Sequence, residues 1–105
     1  MTASLPDYIE AKRRLKKHRR TWLERQHARN PRCHYCRNVT VLPDYGYRRE
    51  RQLLEATLDH AVPRSHGGPD HPRNYRLACY TCNVLKGSMS ERDFILELEK
   101  EGIRE

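Results

Sequence analysis

The stretch from Leu58 to Lys86, LDHAVPRSHGGPDHPRNYRLACYTCNVLK, decides how the rest of the chain is read. It opens with Asp59 and His60 side by side, carries Asn74 fourteen positions after His60, and reaches Asn83 nine positions later. Cys79 and Cys82 close it, and a first pair, Cys33 and Cys36, stands upstream. A Cys-x-x-Cys turn brings two thiolates to one face, and two such turns complete a tetrahedral four-cysteine zinc site. That ion would have no open coordination position, so its role is structural. Disulfides are the competing reading, disfavoured in a reducing compartment. His34 and His66 are further possible donors, but four cysteines suffice.

A chain of 105 residues, 36% apolar, has room for one domain with a thin core. Metal binding can supply the folding free energy that so small a core lacks. The formal charge is +7, from 21 Lys and Arg against 14 Asp and Glu, which points to a polyanionic partner. Residues 91–105 hold six acids and three bases, so the remaining 90 residues carry +10. The acidic end is therefore expected to face away from a polyanion. MTASLPDY has neither the basic start nor the apolar run of a signal peptide, and no segment approaches the ~20 apolar residues of a membrane span. The expectation is an intracellular, cytoplasmic protein without membrane contact, its thiols reduced or metal-bound.

Outward from the central stretch, Pro6-Asp7 opens a helix predicted to run to Arg29, where Asn30-Pro31 stops it. Tyr8, Ala11, Leu15 and Trp22 fall on one stripe, with Ile9 and Leu23 outside it. Arg13, Lys16, Lys17 and Arg20 gather opposite, and like charges at i,i+4 cost an isolated helix a few tenths of a kcal/mol. Phosphates would relieve that repulsion; a solvated face is the plain alternative. Such a helix spans about 34 Å, one turn of duplex. Val39–Leu42 reads as a short strand, 43–46 as a turn and 48–52 as a charged loop. Residues 53–62 alternate roughly, with Leu54, Ala56 and Leu58 on one side; strand and helix are both open by propensity. Residues 65–74 form a Gly- and Pro-rich loop, 76–78 a strand, and 80–86 a helix ending at Gly87. Ser90 and Asp93 cap a last helix closing near Gly102, with Phe94, Ile95 and Leu98 on one face.

The polar residues of the central stretch suit phosphodiester hydrolysis, which needs a base for water, a cation for developing charge, and alignment. An imidazole such as His60 can accept the water's proton. The Asp59 carboxylate and the Asn83 amide oxygen make a hard-oxygen site for a divalent ion. Arg64 and Lys86, close in sequence, are candidates for binding the scissile phosphate. Asn83 directly follows Cys82, so a zinc that fixes the cysteine also fixes the start of Asn83's helix.

On Cys33-x-x-Cys36, Leu58-Asp59-His60-Ala61-Val62-Pro63, Gly67-Gly68, Asn74 and Cys79-x-x-Cys82-Asn83-x-x-Lys86, the chain resembles the HNH endonuclease family. The resemblance implies a zinc-stabilised ββα-metal domain at 32–88, with 53–62 as a strand. With the basic helix read at 1–31 and the acidic one read at 89–105, neither of which matches anything in the family, the expected fold is α+β. It implies His60 as general base, Asp59 and Asn83 as ligands of a catalytic ion, and Asn74 as a brace for the loop that places His60. Family members of this kind leave 5′-phosphate and 3′-hydroxyl ends. Asp59 and Asn83 stand where other members carry histidines, and oxygen donors favour Mg²⁺ or Mn²⁺. The expected function is metal-dependent cleavage of nucleic acid, with double-stranded DNA the expected partner. Two rivals stay open: a zinc-stabilised nucleic-acid-binding module that cuts nothing, and a subunit of a larger phage or restriction assembly.

Overall fold

The computed structural model describes residues 4–43 and 50–105, so all but the first residue of the turn expected at 43–46, and the start of the 48–52 loop, lie outside the described residues. A helix α1 (Leu5–Arg29) is followed by an irregular segment holding the first cysteine pair. Strand β1 (Ala56–His60), a long loop, strand β2 (Tyr75–Cys79) and helix α2 (Tyr80–Lys86) then form the centre, and α3 (Glu91–Lys100) follows. This is a small α+β fold with a ββα unit at its heart.

Helix α1 starts where Ser4 accepts the Asp7 N–H on its side chain, and ends at Asn30 in extended conformation before Pro31. Its packing face differs from the expected stripe. Leu23 is its one buried residue and sits with Ala56 and Leu77, with Trp22 against them; Tyr8 is 55% exposed. Residues 5–14 are exposed all round, so the helix packs only by its C-terminal half and the molecule extends to 49 × 32 × 26 Å. A stripe read from the first turns fails because no part of the body lies beside them.

β1 and β2 pair antiparallel, with Ala56 opposite Cys79, Leu58 opposite Leu77 and His60 opposite Tyr75. The register sets one end of the ribbon at the cysteines and the other at His60. The expected one-sided alternation is absent from β1, where Ala56, Thr57 and Asp59 are buried and Leu54, before it, is exposed. The cause is cover on both faces: Ala56 packs on α1, whereas Thr57 and Asp59 meet α2. The strand expected at Val39–Leu42 is not formed. Val39 bridges Arg32 and Val41 bridges Glu55, two different partners for one residue each.

Helix α2 begins as Cys79 accepts the Cys82 N–H on sulfur and stops at Gly87 with φ 52°. Ser90 accepts the Asp93 N–H to start α3, whose Phe94 and Leu98 pack with Tyr35, Ala78 and three of the cysteines. Among the described residues, no helix is long and apolar enough to cross a membrane.

Candidate active site and metal centre

The first cysteine turn is tied to β2 by His34 N–H donating to the Leu77 carbonyl, and the second begins α2. The four Sγ atoms of Cys33, Cys36, Cys79 and Cys82 lie within 4.8 Å of one another, with Cys36 and Cys79 3.8 Å apart. Zinc–sulfur bonds of about 2.3 Å to tetrahedral corners place sulfurs about 3.8 Å apart, so the cluster fits such an ion. Thiols this crowded cannot all ionise unaided. Hydrogen bonds from Cys79 and Cys82 hold the Cys33 thiol low, while contact with Cys33 pushes Cys79 up to about 12 and Cys82 higher still. A bound dication removes that conflict by stabilising every thiolate at once. His34 instead pairs through Nε2 with Glu91, and His66 is exposed.

A second centre lies where the end of β1 meets α2. Asp59, His60, Arg64, Asn83 and Lys86 line one depression of about 180 Å³. Asp59 is 5% exposed, accepts from the Tyr35 hydroxyl, and has Lys86 Nζ 3.3 Å from each carboxylate oxygen. Burial, and then the Asp59 contact, raise the Tyr35 pKa, so this hydroxyl remains a donor. Asn83 donates its amide to Thr57 Oγ1 at 3.0 Å, which leaves Oδ1 as the acceptor end. The chemistry of these donors, one carboxylate and one amide oxygen beside an imidazole, fits a hard divalent ion.

Lys86 departs from expectation. Its side chain is 1% exposed, and Nζ donates to the His60 carbonyl at 2.9 Å while facing Asp59, so it does not present a surface charge to a phosphate. Its place on α2, one turn beyond Cys82, turns it inward towards β1. Arg64 stays exposed at the rim, in a single turn of 3₁₀ helix.

Asn74 is buried and clamps the loop. Its Oδ1 accepts from Val62 N–H at 2.9 Å, and Nδ2 donates to the carbonyls of Val62 and Pro69 at 3.0 Å each. Gly68 completes this closure, since a Cβ there would lie 1.8 Å from the Val62 carbonyl oxygen. His60 points Nε2 at Asp70 Oδ1, 3.1 Å away, and rests edge-on against Tyr75.

Beside the depression runs a groove of about 810 Å³ between α1 and the ββα unit, bordered by Lys16, Arg19, Arg20, Arg51 and Tyr80. It joins the depression at Leu58, Asn83 and Gly87. Of the four basic residues singled out on α1, Lys16 and Arg20 line this groove; Arg13 and Lys17 are exposed elsewhere on the helix. Residue order does not single out Tyr35, Thr57 or Asp70. Tyr35 is hidden as a spacer between two cysteines, and Asp70 reads as one more polar residue of a turn-rich loop.

Nothing among curated proteins or solved structures matches the chain. The model of the HNH endonuclease family matches residues 33–89, which is 57 of the 105 residues and spans both cysteine pairs and the whole ββα unit. With that match added to the four-cysteine cluster, the chain belongs to the HNH endonuclease family.

Proposed function

We propose that the chain is a metal-dependent endonuclease that hydrolyses phosphodiester bonds of DNA, held in shape by a structural zinc ion. The observation that carries this reading is the meeting of Asp59, His60, Arg64 and Asn83 around one small depression that opens to a basic groove. His60 takes a proton from the attacking water. Arg64 at the rim orients the phosphate through its guanidinium. Asp59 and Asn83 would hold Mg²⁺ or Mn²⁺, which supplies positive charge for the pentavalent phosphate and the leaving alkoxide when bound. Asn74 keeps the loop after β1 closed, which helps to place His60 at the depression. Lys16 and Arg20 neutralise backbone phosphates along the groove.

The test is supercoiled plasmid with Mg²⁺, comparing the zinc-loaded protein with His60→Ala. Wild type should convert supercoiled DNA to nicked circles, and the variant should bind equally yet lose at least about 100-fold in rate. Equal cleavage by both proteins would mean another base.

A second reading, a binding module that cuts nothing, is favoured by Lys86, whose ammonium already neutralises Asp59. An intact supercoil at saturating zinc-loaded protein and Mg²⁺ would select it.

A further inference from the structure

We propose that Asp70 is a positioning residue for His60, fixing its ring and tautomer through a carboxylate that Arg19 clamps from helix α1. The inference rests on the reading of His60 as general base.

Asp70 is the junction of three side chains from three different elements. His60, at the end of β1, places Nε2 3.1 Å from Oδ1. Tyr75, at the start of β2, donates its hydroxyl to the same oxygen at 2.7 Å. Arg19, on α1, donates Nε to Oδ1 at 3.2 Å and Nη2 to Oδ2, a two-pronged grip. The residue before Asp70 is fixed as well, because Asn74 donates to the Pro69 carbonyl. Two aromatic contacts complete the frame: the Tyr75 ring stands edge-on to His60 at 5.4 Å and edge-on to Trp22 of α1 at 5.4 Å. Burial tends to raise the Asp70 pKa, but the bonds from Arg19, Tyr75 and His60 outweigh it and hold the carboxyl well below its usual range.

A neutral imidazole carries one N–H and one lone pair. A carboxylate that only accepts therefore selects the Nε2–H form and leaves the lone pair on Nδ1, the nitrogen then able to take water's proton. A ring free to turn would present either nitrogen, and a base in the wrong orientation loses rate without losing substrate affinity. Arg19 gives α1 a task apart from meeting phosphates: it holds the carboxylate that holds the base. The plain alternative is that Arg19–Asp70 merely staples the helix to the loop, in which case Asp70 would affect stability and not turnover.

The experiment measures plasmid nicking under Mg²⁺ by the full zinc-loaded chain and by Asp70→Ala, Asp70→Asn and the double variant Asp70→Ala/His60→Ala. Asp70→Ala should lose 10- to 100-fold in kcat with KM and half-saturating Mg²⁺ within twofold of wild type. Asp70→Asn keeps an accepting oxygen and should recover part of the loss. Adding Asp70→Ala to His60→Ala should cost nothing more. A kcat within twofold of wild type for folded Asp70→Ala overturns the proposal. Should wild type itself fail to cleave, the nuclease reading falls separately, and nitrogen-15 NMR of the imidazoles still decides the positioning role. His60 should show a single Nε2–H tautomer in wild type and a mixture in Asp70→Ala. The same tautomer in both proteins overturns it.

Discussion

Lys86 Nζ sits 3.3 Å from both oxygens of Asp59, and each side chain is at most 6% exposed. This buried pair occupies the carboxylate that the proposed chemistry assigns to a divalent ion. Removing one partner of a buried pair leaves an uncompensated charge and costs about 3–5 kcal/mol. Lys86→Met should therefore unfold at a clearly lower temperature. Mg²⁺ should raise the Tm of this variant more than that of wild type, because a cation at Asp59 replaces the missing ammonium. Equal Mg²⁺ shifts in thermal melts of the two proteins would refute Asp59 as a ligand.

The cysteine cluster gathers an irregular turn, the end of β2 and the start of α2 around one point, and Phe94 and Leu98 of α3 pack against it. Chelation should accordingly abolish the cooperative unfolding transition followed by circular dichroism, and readdition of Zn²⁺ should restore it. One zinc per chain is expected by metal analysis, and Cys82→Ser should bind it at least about 10-fold more weakly. A sharp transition that survives metal removal would contradict this.

Only half of the basic set on α1 borders the groove. Replacing Lys16 and Arg20 by Ala should reduce the salt slope of DNA binding by about 2, because two phosphates are no longer neutralised by the protein. Replacing Arg13 and Lys17 should change it by less than half as much. Binding isotherms at several salt concentrations separate the two outcomes, and equal slopes would place the DNA elsewhere.

Glu91 ties α3 to the fold through Arg76, whose Nε donates at 2.8 Å, and through His34. Burial pushes its carboxyl up, but Arg76 and then His34 outweigh this and hold it below the usual range. A depressed folded-state pKa adds stability that is complete above the unfolded value, about 4.3, and fades as pH falls through the folded one. Acid unfolding of Glu91→Gln should thus show a shallower loss of stability below pH ~4 than wild type. Parallel acid melts check this.

Much of the fold is legible in residue order because its signals are local. Pro6 and Asn30 bound α1, Gly87 stops α2, and Ser90 opens α3, each through backbone groups within a turn. The cysteine pairs are legible for a related reason: their spacing within each turn carries the chemistry. The buried face of α1 is not, since which side of a polar helix meets the body depends on Ala56 and Leu77, more than thirty residues away. The Val39–Leu42 segment misleads because extended propensity does not supply a partner strand.

The same division runs through the site. Residue order alone determined which chemistries are on hand: four thiols, an imidazole, a carboxylate and two amides within one family pattern. Tertiary structure decided who faces whom. It turned Lys86 inward to Asp59, set Tyr35 beneath the same carboxylate, and brought Arg19 across fifty-one positions to Asp70 and so to His60. Such pairings depend on how two elements cross in space, and the interaction of two charges depends on their separation and burial, not on their distance along the chain.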